Sequence, residues 1–73
     1  MDIAEAIDKV LYNHEWFRPV SWIGTGQALT IHERHRIAVV PSPTGGRTWY
    51  ANVEDLLDEW EVVDPNTVLD EVL

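Results

Sequence analysis

The 73-residue chain carries thirteen acidic against five basic side chains, a formal net charge of −8, and no cysteine. That balance excludes the basic footprint needed for nonspecific binding to nucleic acid or an anionic membrane, and the missing cysteines exclude disulfides and point to an intracellular setting. One domain is the most this length allows, and its thin core makes homo-oligomerisation, as a dimer or tetramer, the expected support for seven aromatic side chains.

The opening MDIAEAIDKV lacks the basic start and apolar core of a signal peptide. No apolar run approaches the length of a membrane span. A cytoplasmic protein is expected. Asp2 followed by Glu5 makes a capping-box-like start, and Ile3, Ala6, Ile7, Val10 and Leu11 recur at helical spacing. A first helix is therefore predicted from about Asp2 to Tyr12.

WFRPVSW, residues 16–22, reads as an extended segment. Pro19 cannot donate to a ladder, which places this strand at an edge or gives it a bulge. IGTG interrupts it. QALTIHE alternates, with Ala28, Thr30 and His32 on one face and Leu29 and Ile31 on the other. RHRIAVVP reads as a third strand, joined to the second by a hairpin connection around Glu33 to His35. PSPTGG, residues 41–46, is a loop, and RTWYA resumes an extended path. Asn52 with Asp55 starts a second helix of about two turns over VEDLLDE. WEVV is a last short strand, and Asp64 caps a short segment with Pro65 at its first helical position. Val68, Leu69, Val72 and Leu73 form its apolar stripe. The fold class is α+β: a small antiparallel sheet of about four to five short strands with an N-terminal helix and a short second helix. Residues 1–63 form the single domain, and 64–73 a helical tail.

HERH sets His32 and His35 three apart. A zinc-binding helix needs its histidines four apart on one face, so no metal site is expected there. No cysteine or strand–elbow serine offers a nucleophile, and Glu54, Asp55, Asp58 and Glu59 read as a solvated helix face. No catalytic set is expected. Arginine and tryptophan, by contrast, recur together: Arg18 lies four residues before Trp22, and Arg47 two before Trp49. Residues two apart on a strand share a face. An indole can stack a base, and a guanidinium can grip a phosphate. The alternative makes the tryptophans core or interface and the arginines partners of acidic neighbours.

IAEAI, then RPVSWIGTGQAL, then RTWYANVEDLLDEWEVV stand in an order that resembles the second type of phage Thoeris anti-defence protein. That family's pattern has a Glu-Ala pair in the first helix, an arginine shortly before a Trp-x-Gly-x-Gly-x-x-Leu stretch, and an ending of Asp-Leu-Leu and Trp-x-Val-Val. The similarity runs from Ile3 to Val63. Here Leu57 and Trp60 enclose two residues where the family usually has three, and Asn52 stands where Ser or Thr is common. The resemblance implies a sponge that binds cyclic ADP-ribose isomers or cyclic oligonucleotides between subunits of a homo-oligomer and does not cleave them.

On that basis the expected ligand is a cyclic nucleotide signal. Trp22 and Trp49 are expected to stack its base, and Arg18 and Arg47 to hold its phosphates. Backbone N–H groups around Gly24 to Gly26 would add an anion-binding nest. Asn52 and Asp55 would bond base or ribose, unless they form a capping box. The competing reading is an acidic inhibitor that imitates nucleic acid on a host enzyme. A hydrolase of the same signal is a third reading, which lacks a nucleophile or metal set.

Overall fold

The structure, a computed structural model, describes residues 1–42 and 46–72. It is an α+β fold with one four-stranded antiparallel sheet. The elements in chain order are α1 (Ile3–Val10), β1 (Trp16–Pro19), β2 (Ala28–His32), β3 (Arg36–Val40), α2 (Val53–Leu57), β4 (Trp60–Val63) and α3 (Pro65–Asp70). The strands lie in the order β3-β2-β1-β4. Short 3-10 turns follow β1 at Val20–Trp22 and join β2 to β3 at Glu33–His35. The expected loop over 41–46 falls partly outside the described residues, at 43–45, as does Leu73 of the tail's apolar stripe.

Each helix begins where a side chain satisfies its free amides. Asp2 accepts from the Glu5 amide at 2.8 Å, Asn52 from the Asp55 amide at 2.9 Å, and Asp64 from the Asn66 amide at 2.7 Å. At α2 the box is reciprocal, because the Asn52 amide also donates to Asp55 Oδ2 at 3.1 Å.

Alternation along the strands divides the side chains between two faces. Phe17, Leu29, Ile31, Val39 and Trp60 meet Ala6 and Val10 of α1 in the larger core cluster. Register accounts for the grouping: Phe17 lies opposite Leu29 and Val62, and Leu29 opposite Val39. The second face carries Ala28 and Val63, covered by Val68 of α3, with Trp16 and Val40 at its margin. Residues 64–72, expected as a tail, thus form the layer over this face.

The first strand is shorter than its apolar run and lies inside the sheet, between β2 and β4, not at an edge. Pro19 is tolerated there because it is the last residue of β1, paired with Trp60. Its missing N–H costs no ladder bond: the Trp60 amide and carbonyl both turn outward to Met1, which makes Pro19–Trp60 a non-hydrogen-bonded pair, and the β1–β2 register stops at Phe17–Leu29. The chain then bends into the 3-10 turn, and the Val20 amide donates to the Glu59 carbonyl at 2.7 Å. RTWYA does not become a fifth strand. It forms a single bridge, Thr48 with Ala38, along the outer side of β3. The Val39 amide donates to Arg47 at 3.0 Å and the Trp49 amide to Ile37 at 2.8 Å. That cover brings Trp49 back over the core from a distant part of the sequence.

Candidate functional site

The stretch between β1 and β2 is a pair of tight turns. The Thr25 amide and hydroxyl both donate to the Trp22 carbonyl, at 3.0 and 2.7 Å, which closes the first turn. Gly24 and Gly26 both adopt left-handed backbone, with φ of +88° and +72°, a region that costs other residues about 1–2 kcal/mol. Gly24 faces open space, whereas a Cβ at Gly26 would collide with Val72 Cγ1. The C-terminal segment therefore lies directly on the second glycine.

That approach delivers an anion to the turn. Glu71 Oε1 accepts from Arg18 Nη1 at 2.7 Å and from the Gly26 amide at 3.3 Å. Arg18 arrives there because β1 alternates: Phe17 points to the α1 core, so Arg18 points to the face that α3 covers. It is only 2% exposed, and its Nε makes no hydrogen bond while facing Glu61 Oε2 at 3.5 Å. Arg18's hydrogen bond lowers the Glu71 carboxyl below its usual range; burial opposes this, and the Gly24 and Gly26 amides act with Arg18. The nest foreseen at Gly24 to Gly26, and the phosphate role foreseen for Arg18, thus meet in one place. In this structure the anion they hold is the chain's own carboxylate.

Three of the four tryptophans converge on the other face. Trp22 and Trp49 pack edge to face with ring centroids 6.5 Å apart, and Trp49 meets Trp60 in the same way at 5.8 Å. Phe17 continues the cluster at 5.7 Å from Trp60. Trp60 is fully buried, and its indole N–H donates to the Asp55 carbonyl at 2.9 Å, which leaves no unsatisfied polar atom on the ring. Trp22 and Trp49 are half-buried against this core. Both therefore serve the fold and keep part of their surface accessible.

Arg47 is exposed, and among the described residues its side chain has no hydrogen bond or ion pair. Tyr50 beside it is 83% exposed. Asn52 Oδ1 and Asp55 Oδ2 close the capping box of α2, which accounts for both residues without a ligand. Ser21 ties the 3-10 turn to the end of α2, its hydroxyl donating to Asp58 Oδ2 at 2.6 Å.

Of the eight residues singled out from the sequence, the fold gathers Arg18, Gly24 and Gly26 around Glu71, and pairs Trp22 with Trp49. Glu61 and Glu71 were missed. Glu61 became visible only with the pairing of β1 to β4, which sets it opposite Arg18; no local signal marks Glu71. A depression of about 200 Å³ is lined by Glu15, Val62, Val63, Asp64 and Pro65, none of them among the eight. Its two carboxylates make it unsuited to an anionic ligand. Among the described residues no group of three or more metal-ligating side chains converges, and no helix is long and apolar enough to cross a membrane. No protein-family model, curated protein or solved structure matches the chain.

Proposed function

We propose that this chain is a phage-encoded anti-defence protein that binds a cyclic nucleotide immune signal in the host cytoplasm and withholds it uncleaved. The ligand is a cyclic ADP-ribose isomer or a cyclic oligonucleotide. The observation that carries the reading is the Trp22–Trp49 pair, two half-buried indoles with the exposed Arg47 guanidinium two residues from one of them. Stacking contributes about 1–3 kcal/mol per base. Nanomolar sequestration requires about −12 kcal/mol. Phosphate contacts must therefore supply much of the remainder, and Arg47 is the exposed cation placed to do so. The apolar surface of Ile23, Tyr50, Val53 and Leu57, each more than half exposed, suits a second copy that would complete the pocket.

The test is retention. The protein is incubated with a panel of cyclic ADP-ribose isomers and cyclic dinucleotides, separated by filtration, and denatured. Recovery of intact ligand supports sequestration, altered ligand means an enzyme, and recovery of none from the whole panel overturns the reading. Arg47→Ala, at an exposed position, should lose retention while keeping its fold; undiminished retention removes Arg47 from the site.

A second reading, an acidic inhibitor that covers a basic host surface, is favoured by α2. That helix exposes Val53, Leu56 and Leu57 beside the exposed Glu54, an apolar strip with an acidic neighbour, as protein-binding helices present. It predicts no nucleotide retention, and salt-sensitive binding to a DNA-binding enzyme that Glu54→Lys weakens.

A further inference from the structure

We infer that Arg18 and the amide of Gly26 form an exchangeable site for a monoanionic oxyanion, a phosphodiester group being the fitting class. Glu71 is its built-in occupant. Arg18 is a buried guanidinium whose Nε has no hydrogen-bond acceptor, and its Nη1 and the Gly26 amide converge on one oxygen, Glu71 Oε1. Two donors from different parts of the chain aimed at one oxygen are how a protein holds phosphate or carboxylate oxygens.

Charge selects the class. Arg18 already faces Glu61 at 3.5 Å, so a group that replaces Glu71 with one negative charge keeps the balance around the guanidinium. A dianion would add an uncompensated charge beside Glu61, at a cost that grows with burial.

The occupant is held in a manner that permits release. Val68 is the one fully buried side chain of α3, while Leu69 is 41% and Val72 63% exposed. Only a short segment has to lift to carry Glu71 and Val72 off the glycine turn, and local opening of this kind is least costly where few apolar contacts are buried. An incoming phosphodiester takes the two hydrogen bonds that Glu71 gives up. The inference rests on the nucleotide reading only for the natural source of the phosphodiester; exchange at the cradle stands or falls separately.

The experiment follows the Gly26 amide and the Arg18 Nε–H by NMR while dimethyl phosphate is added to the full chain, with chloride at equal ionic strength as control. In Glu71→Ala both signals should shift saturably, with a dissociation constant at least about tenfold below that of the wild type, as loss of a competing charged hydrogen-bond acceptor predicts. Sulfate, a dianion, should bind less well than dimethyl phosphate. Absence of a saturable shift in a folded Glu71→Ala chain overturns the proposal, as does a stronger response to sulfate. Should Glu71→Ala fail to fold, Glu71→Gln takes its place: a saturable response supports exchange, and a folded Glu71→Gln chain blind to dimethyl phosphate overturns it. These outcomes are separate from nucleotide retention by the wild type, which reports on Trp22, Trp49 and Arg47.

Discussion

Arg18 and Glu71, separated by 53 positions, meet through a 2.7 Å charged hydrogen bond on the face of the sheet opposite α1. The bond joins the interior strand β1 to the residue that caps the end of α3, and it turns a glycine turn that reads as a ligand nest into a socket for the chain itself. Removing the cation should therefore do more than delete one contact. Arg18→Ala leaves Glu61 and Glu71 facing each other without a counter-charge, and should cost about 3 kcal/mol in urea-induced unfolding. Arg18→Met, which fills the space without a charge, should recover part of that loss. Equal stabilities for wild type and Arg18→Ala would show that the pair adds nothing to the fold.

The same bond sets an acid response. Glu71 has its carboxyl below the ordinary 4.5 in the folded chain, held there by Arg18 and the two glycine amides. A lowered folded-state pKa contributes stability that is fully present above the unfolded value and is lost as pH falls through the folded one. Below about pH 4.5 the wild type should thus lose thermal stability more steeply than Glu71→Gln, whose side chain does not titrate. Glu61 faces the same guanidinium and remains in both proteins, so the difference between the two melting curves isolates Glu71. Parallel curves from pH 7 to about pH 3 would contradict this assignment.

The two glycines of the turn should respond differently to alanine. Gly24→Ala meets only the backbone cost of a left-handed conformation, about 1 kcal/mol, because its Cβ would face open space. Gly26→Ala adds the collision with Val72 Cγ1 and should push the C-terminal segment outward. Its excess cost in urea unfolding should shrink when Val72→Ala is combined with it. If the double variant recovers nothing, the clash lies elsewhere.

Trp22 and Trp49 should be energetically coupled. An edge-to-face pair contributes about 0.5–1.5 kcal/mol beyond the area it buries, and a double-mutant cycle with Trp22→Ala and Trp49→Ala reads that term directly. Trp49→Ala should be the more destabilising of the two singles, since Trp49 also packs on the buried Trp60. A coupling of zero would mean that the two rings are neighbours without being partners.

Asn52→Ala should cost about 1 kcal/mol, the usual loss of a helix cap. The same substitution should leave nucleotide retention intact, because the Asn52 side chain is committed to the Asp55 amide. Retention lost in a folded Asn52→Ala chain would return Asn52 to the ligand site.

The α+β class, all three helix starts, the hairpin around Glu33 to His35 and the alternation of β2 were legible in the sequence. Each depends on interactions within a few residues: a capping oxygen reaching an amide two or three positions on, or side chains taking opposite faces of a strand. The place of Pro19 was misjudged because strand order is not local. A proline at the end of an interior strand makes the same demand on the ladder as one at an edge, and only the strand order, which sets β1 between β2 and β4, tells them apart.

The candidate site divides along the same line. The residue types by themselves determined that this chain has indoles beside arginines, a glycine turn able to expose amides, and too few cations to leave many of them unpaired. Only the tertiary structure decided which cation meets which anion. β1 points Arg18 to the face that α3 covers, and Val72 seats on Gly26, so Glu71 reaches the nest. Arg47, on the segment beside β3, stays in solvent. The reason is that a charge pair forms between whatever side chains the fold brings within hydrogen-bond reach, and separation along the chain carries no information about that distance.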